Sequence, residues 1–131
     1  MASIIVISGA NEGDYYPLGQ RTNVIGRSET VPIQIIDPKV SRKHLQIRFD
    51  KDADRYIAVD MQSKHGVSIN GTRLESEQIL NDNDCITVGQ TNVLFTLEDF
   101  KDRENALLHY KKVGEKIHPT ISINDTIPRN Q

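Results

Sequence analysis

Cysteine is nearly absent from this chain. Cys85 stands alone among 131 residues, so no internal disulfide can form, and the surrounding "CITV" reads as a strand holding a small buried residue. A lone thiol fits a reducing compartment. Long apolar runs are missing too. The opening "MASIIVISGANEGD" has no basic lead, and its apolar stretch covers only residues 4–7. That is too short for a signal peptide or a membrane span, so the expected location is the cytoplasm. Charge of one sign is not in excess: 16 Lys and Arg stand against 18 Asp and Glu, a formal net charge of −2. Nothing global therefore draws the protein to nucleic acid or to a membrane, and an anion site has to be a local concentration of positive charge.

Signatures of catalysis and metal binding are also lacking. The histidines at 44, 65, 109 and 118, with one cysteine, show no metal-ligand spacing. His44 with Ser41 or Ser63 would supply a nucleophile and a base, but no GxSxG elbow and no orienting acid accompany them. Phosphate-loop and dinucleotide fingerprints are absent, and the glycines are scattered among turns. The expectation is a protein without enzymatic activity, cofactor or metal.

What the sequence does contain is many short β-branched runs. "SIIVIS", "YYPL", "TNVIG", "IQII", "HLQIRF", "RYIAVD", "GVSI", "CITV" and "NVLFTL" are separated by stretches rich in Gly, Asn and Asp. Short strands at this spacing, with no helical pattern between them, predict an all-β antiparallel sandwich or barrel. "HLQIRF" sets His44, Gln46 and Arg48 against Leu45, Ile47 and Phe49, the alternation of a half-buried strand. "DKDAD" marks one hairpin, and Asn70-Gly71 is a two-residue hairpin turn.

From Glu98 the pattern changes. "EDFKDRENALLHYKKVGEK" carries acids first, Lys111 and Lys112 last, and Gly114 as a stop. Phe100, Ala106, Leu107, Tyr110 and Val113 share one face at 100° per residue, which predicts an amphipathic helix. It either docks on the sandwich or leads into a further domain. The chain thus divides into a β-rich unit, 1–97, and a helix with linker or tail, 98–131.

Chemistry concentrates in the turns. Gly26-Arg27 closes one strand, and Ser41-Arg42, after Asp37-Pro38-Lys39, opens the next. Residues 61–72, "MQSKHGVSINGT", add Ser63, Lys64, His65, Gly66 and the Asn70-Gly71 turn. Brought to one end of a sandwich, these loops offer guanidinium, ammonium, hydroxyl and backbone N–H donors. Such a set suits phosphate, with its three acceptor oxygens and nearly two charges, and the planar fork of arginine can bond two of those oxygens.

The composite "IGRS…D..VSRKH", then "SKHGVSINGTRL", then "L.D.D.I.VG", resembles the forkhead-associated (FHA) domain family over residues 3–97. The resemblance implies a β-sandwich of about eleven strands whose loops at one end bind phosphothreonine peptides. It implies that Arg27 and Ser41 grip the phosphate and that Arg42 reaches the phosphate or the peptide backbone. Lys39 matches a position that helps read the side chain three residues after the phosphothreonine. His44 falls behind the loops as a structural ring, with Gly26, Gly66 and Asn70 as loop and turn formers. Lys64 stands where the family usually has a small or polar residue such as threonine, and His65 where it usually has asparagine. Lys64 is either a solvated side chain or a phosphate contact, and the His65 imidazole replaces the asparagine as donor.

The resemblance implies a non-catalytic phosphothreonine-binding module, and the opening of the chain, which looks like that of bacterial family members, points to a bacterial signalling protein. Its partner would be a protein phosphorylated by a Ser/Thr kinase, with no nucleic acid and no membrane involved. The rival reading is a phosphate-independent interaction or oligomerisation domain on the same fold, and a third makes this part the sensor of an enzyme whose catalytic region follows.

Overall fold

The computed structural model describes residues 2–98, together with Asn105 and Leu108. Asn105 and Leu108 are helical and exposed; the rest of the helix expected after Glu98, and the tail, lie outside the described residues.

The nine β-branched runs each hold a strand, and two more lie in the polar stretch after Asn70. In chain order the eleven are β1 (Ser3–Ser8), β2 (Tyr15–Pro17), β3 (Asn23–Gly26), β4 (Ile33–Gln34), β5 (Leu45–Asp50), β6 (Arg55–Asp60), β7 (Val67–Ile69), β8 (Thr72–Arg73), β9 (Glu77–Ile79), β10 (Cys85–Val88) and β11 (Thr91–Thr96), the two in the polar stretch being β8 and β9. They make two sheets, ordered β2-β1-β11-β10-β7-β8 and β4-β3-β5-β6-β9. Pairing is antiparallel except for β3 and β4, a parallel bridge of two residues in which Ile25 faces Ile33. The all-β sandwich is as expected.

Period-two patterning decides which side chains meet. Leu45 and Ile47 of β5, Tyr56 and Ala58 of β6, Ile4 and Val6 of β1, and Val93 and Phe95 of β11 fill one core. Tyr56 sits at its centre, with ring centroids 5.0 Å from Phe49 and 5.6 Å from Phe95, and its hydroxyl donates to the Gly19 carbonyl. Burying a ring of this size stabilises the fold by about 3 kcal/mol.

The turns carry the conformations their residues allow. Asn70 (φ 52°) and Gly71 (φ 83°) are both left-handed, so β7 and β8 close as a two-residue hairpin with Ile69 facing Thr72. Cys85 lies on β10 and is half-exposed rather than buried. Partial burial, with the Asp84 carboxylate beside it, pushes its thiol above the ordinary value. That disfavours the reactive thiolate.

Register brings three loops to one end. Ile25 faces Leu45 and Leu45 faces Asp60, so the close of β3, the start of β5 and the close of β6 are neighbours. Asp60 leads through residues 61–66 to Val67, which starts β7 in the other sheet opposite Val88.

Candidate functional site

The site begins with a close approach that only glycine permits. A Cβ on Gly26 would lie 1.9 Å from the Arg42 carbonyl oxygen, well inside contact distance. Without it, the end of β3 runs directly against residues 41–43. The Arg27 N–H donates to the Ser41 carbonyl at 2.9 Å, and the Ser28 N–H to that of Arg42 at 3.3 Å. The Arg27 side chain is tethered as well, its Nε–H donating to the Val40 carbonyl at 2.9 Å. That bond uses the inner nitrogen and leaves the two terminal nitrogens of an exposed guanidinium for a ligand.

Ser41 joins this pair of loops to the third. Its Oγ accepts the Lys64 N–H at 3.1 Å. Its own N–H donates to Nδ1 of His44 at 2.9 Å, and Nε2 of His44 lies 2.7 Å from the Gly66 carbonyl. A nitrogen that accepts from an N–H carries no proton, so Nε2 holds the hydrogen and donates it to Gly66. His44 is fully buried, at 0% exposure, and is a crosspiece between two loops rather than a ligand contact. In the alternation of "HLQIRF" it counted as a polar outward residue; it precedes β5 and turns inward to satisfy these two groups. Asp60 shapes the same loop by accepting from the N–H and the hydroxyl of Ser63 at 3.1 and 2.8 Å.

Around this frame Lys39, Arg42, Lys64 and His65 are all exposed. Among the described residues the ion pairs are Arg48 with Glu77 and Arg55 with Asp50, so Arg27, Arg42 and Lys64 are paired with no carboxylate, while Lys39 lies in the field of Asp37. A protein of net charge −2 thus keeps an uncompensated cationic cluster at one end. A shallow cleft of about 430 Å³ lies over Val59, Gln62, Ser76 and the carboxylates of Asp60, Glu75 and Glu77, which give it the wrong sign for phosphate. No group of metal-ligating side chains occurs among the described residues, and none of their helices is long and apolar enough to cross a membrane.

Asn70 is not brought to these loops. It ends β7 at the far side, about 13 Å of extended chain from Gly66. Its amide donates to Asp84 Oδ1 and accepts the Cys85 N–H, both at 2.9 Å. The side chain therefore fastens the β7–β8 turn to the start of β10, and its support for the binding loops is indirect at most.

Two residues enter that sequence reasoning passed over. Asp37 is buried at 3% exposure and accepts from the Lys39 N–H at 2.9 Å, the Gln90 N–H at 2.8 Å and the Thr91 hydroxyl at 2.8 Å. Burial by itself would push this carboxyl up. The N–H groups of Lys39 and Gln90, the Thr91 hydroxyl and the Lys39 charge outweigh that and hold it below the ordinary 3.8. The loop bearing Lys39, Val40 and Ser41 is thereby pinned to the β10–β11 turn. Arg73 is the second, its guanidinium lying against Gly66. Asp37 before Pro38 carries a turn signal that hints at its role; nothing local marks Arg73.

The comparisons with known proteins agree on the family. The FHA domain model matches residues 23–89, just over half of the chain and the whole of the loop cluster up to the β10–β11 turn. The chain belongs to the FHA domain family. FHA domains are interaction modules rather than catalysts. This FHA domain is 32% identical over 82 residues to the FHA domain-containing protein FhaA of Mycobacterium tuberculosis, a match covering 63% of this chain and only 15% of that protein. Among solved structures it superposes with a TM-score of 0.67 and 27% identity on a domain studied for phosphothreonine-dependent FHA interactions, covering 76% of this chain and 98% of the other. It matches Mycobacterium tuberculosis EmbR, solved with a low-affinity phosphopeptide, with a TM-score of 0.67 and 28% identity, over 77% of this chain and 25% of that one.

Proposed function

We propose that this FHA domain is a phosphothreonine-peptide-binding module without catalytic activity. Arg27 and Ser41 hold the phosphate, Arg42 and Lys64 add charge at its edge, and His65 and Lys39 meet the peptide on either side. The observation that carries this reading is the joint at Ser41: its carbonyl takes the Arg27 N–H and its hydroxyl the Lys64 N–H, and neither cation is paired with a carboxylate among the described residues. A doubly charged ligand with three acceptor oxygens satisfies this set, whereas an unphosphorylated threonine offers one neutral hydroxyl. The similar structures studied for phosphothreonine dependence and bound to a phosphopeptide support the assignment.

The partner in this reading is a protein phosphorylated by a Ser/Thr kinase, met in the cytoplasm, and the binding unit is residues 1–97. An oriented phosphothreonine peptide library with unphosphorylated controls tests it on the full chain. The expected result is retention of phosphorylated peptides only. Equal retention of both sets favours a phosphate-independent interaction domain and contradicts the proposal.

A further inference from the structure

Gly66 does two things at once. Its carbonyl takes the Nε2–H of His44, which fixes the third loop to the first two. Its backbone is left-handed (φ 79°), and the space where a Cβ would stand is filled by Arg73. An added Cβ would lie 2.6 Å from Arg73 Nη2, 2.7 Å from Cζ and 2.9 Å from Nε. Three nearly equal distances mean that the flat face of the guanidinium covers the glycine. A plane laid flat on one residue directs its N–H bonds sideways, along the surface and away from the residue it covers.

Among the described residues those N–H groups have no hydrogen-bond or ion-pair partner. Arg73 is exposed, and among the described residues it makes no ion pair, the two such pairs being Arg48–Glu77 and Arg55–Asp50. Its place relative to the phosphate-holding residues follows from bonds already described. Ser41 Oγ takes the Lys64 N–H, and Gly66, two residues further, carries Arg73. Followed through these contacts, the order runs from Arg27 beside Ser41, through Lys64, to Arg73 against Gly66. β8 fixes the far end of that order, because Arg73 is held in register opposite Ser68.

We infer that Arg73 is a specificity-determining residue that reads an oxyanion-bearing side chain next to the phosphothreonine, a carboxylate or a second phosphate. This inference rests on the reading of the loops as a phosphothreonine site. A peptide anchored by its phosphate at Ser41 and laid across residues 63–66 brings a neighbouring side chain to the rim where Arg73 waits. A guanidinium pre-placed on a rigid glycine bonds such a group with two parallel N–H bonds, at little cost in side-chain ordering. Lys64, on a flexible stem, adds charge without geometry.

The test uses the full chain as wild type, Arg73→Ala, Arg73→Glu and, as control for the phosphate site, Arg27→Ala. Each is probed with an oriented phosphothreonine library, then by titration of the best peptide carrying Asp, Asn or a second phosphothreonine at the selected position. The expected wild-type profile enriches acids at one position. Arg73→Ala abolishes that enrichment and weakens the Asp peptide about ten-fold while keeping the phosphothreonine requirement. Arg73→Glu turns the preference at that position to Lys and Arg. Tighter binding of the doubly phosphorylated peptide than of the Asp peptide names phosphate as the preferred oxyanion, and the reverse names carboxylate. A wild type that requires phosphothreonine, with an Arg73→Glu profile unchanged at every position, overturns the inference and leaves the phosphate site standing. Failure of wild type to distinguish phosphorylated from unphosphorylated peptides overturns both.

Discussion

The residue that sets the cluster apart is a buried carboxylate, Asp37, behind the exposed cations. Asp37 gathers three donors from two parts of the chain 53 positions apart, and its third oxygen contact, to the Thr91 hydroxyl, closes the joint. Its carboxyl is held below the ordinary 3.8, so the stabilisation it contributes is fully present above that value and is lost as pH falls through the lower folded-state value. Asp37→Asn removes the charged acceptor and is expected to cost about 2 kcal/mol near neutral pH. Denaturant melts of both proteins at a series of pH values check this. The gap between them should stay constant from pH 7 to 5 and narrow below pH 4; a gap that widens on acidification would show that the carboxyl is not stabilised as an anion. This part of the site was barely legible in the sequence. Asp37-Pro38 announces a turn, but no local rule says that the carboxylate reaches Gln90 and Thr91. Arg27 and Ser41 were legible because their neighbours Gly26 and Arg42 make a recognisable composite, while Arg73 belongs to a hairpin whose only local message is the turn before it.

At the scale of elements, alternation and turn chemistry foretold much and geometry supplied the rest. β5 and β7 follow the period of two, and Asn70-Gly71 makes the predicted hairpin. β1 does not alternate: Ser3, Ile4, Ile5 and Val6 are all buried. A continuous apolar run is what a strand covered on both faces looks like, and such a run cannot report which side faces the core. The two glycines at strand ends make separable demands. Gly26 needs space, because a Cβ would meet backbone oxygen at 1.9 Å, and flexible side chains cannot relieve that. Gly71 needs only its left-handed φ of 83°, with nothing within 4 Å. Gly71→Ala is therefore expected to cost about 1 kcal/mol, a drop in Tm of about 4–8 °C, with peptide affinity unchanged. Gly26→Ala is expected to cost about 3 kcal/mol and to weaken phosphopeptide binding as well, since it forces β3 away from the loop that carries Ser41 and Arg42. Thermal melts paired with titrations separate the two. Loss of binding in Gly71→Ala, or none in Gly26→Ala, would contradict the role given to that close approach.

For the whole molecule, the sandwich holds loops from both sheets at one end, and the chain outside that cationic cluster carries the excess of acidic residues. Net charge −2 gives no long-range attraction to anions, so recognition depends on the uncompensated cluster and should weaken with salt only as far as its exposed members are screened. The all-β class was readable from strand spacing, while the choice of a sandwich over a barrel came with the family resemblance. The order of strands within the two sheets was not readable, because non-consecutive neighbours such as β1 with β11 and β6 with β9 leave no local mark in the sequence. Arg27 and Ser41, set side by side, are proposed to hold the phosphate. The most direct measurement is calorimetric titration of one library-selected peptide, phosphorylated and unphosphorylated, into wild type and Arg27→Ala. Wild type is expected to bind the phosphorylated peptide and not measurably the unphosphorylated one, and Arg27→Ala to bind at least ten-fold more weakly with an unchanged circular dichroism spectrum. Equal affinity of wild type and a correctly folded Arg27→Ala would contradict that assignment.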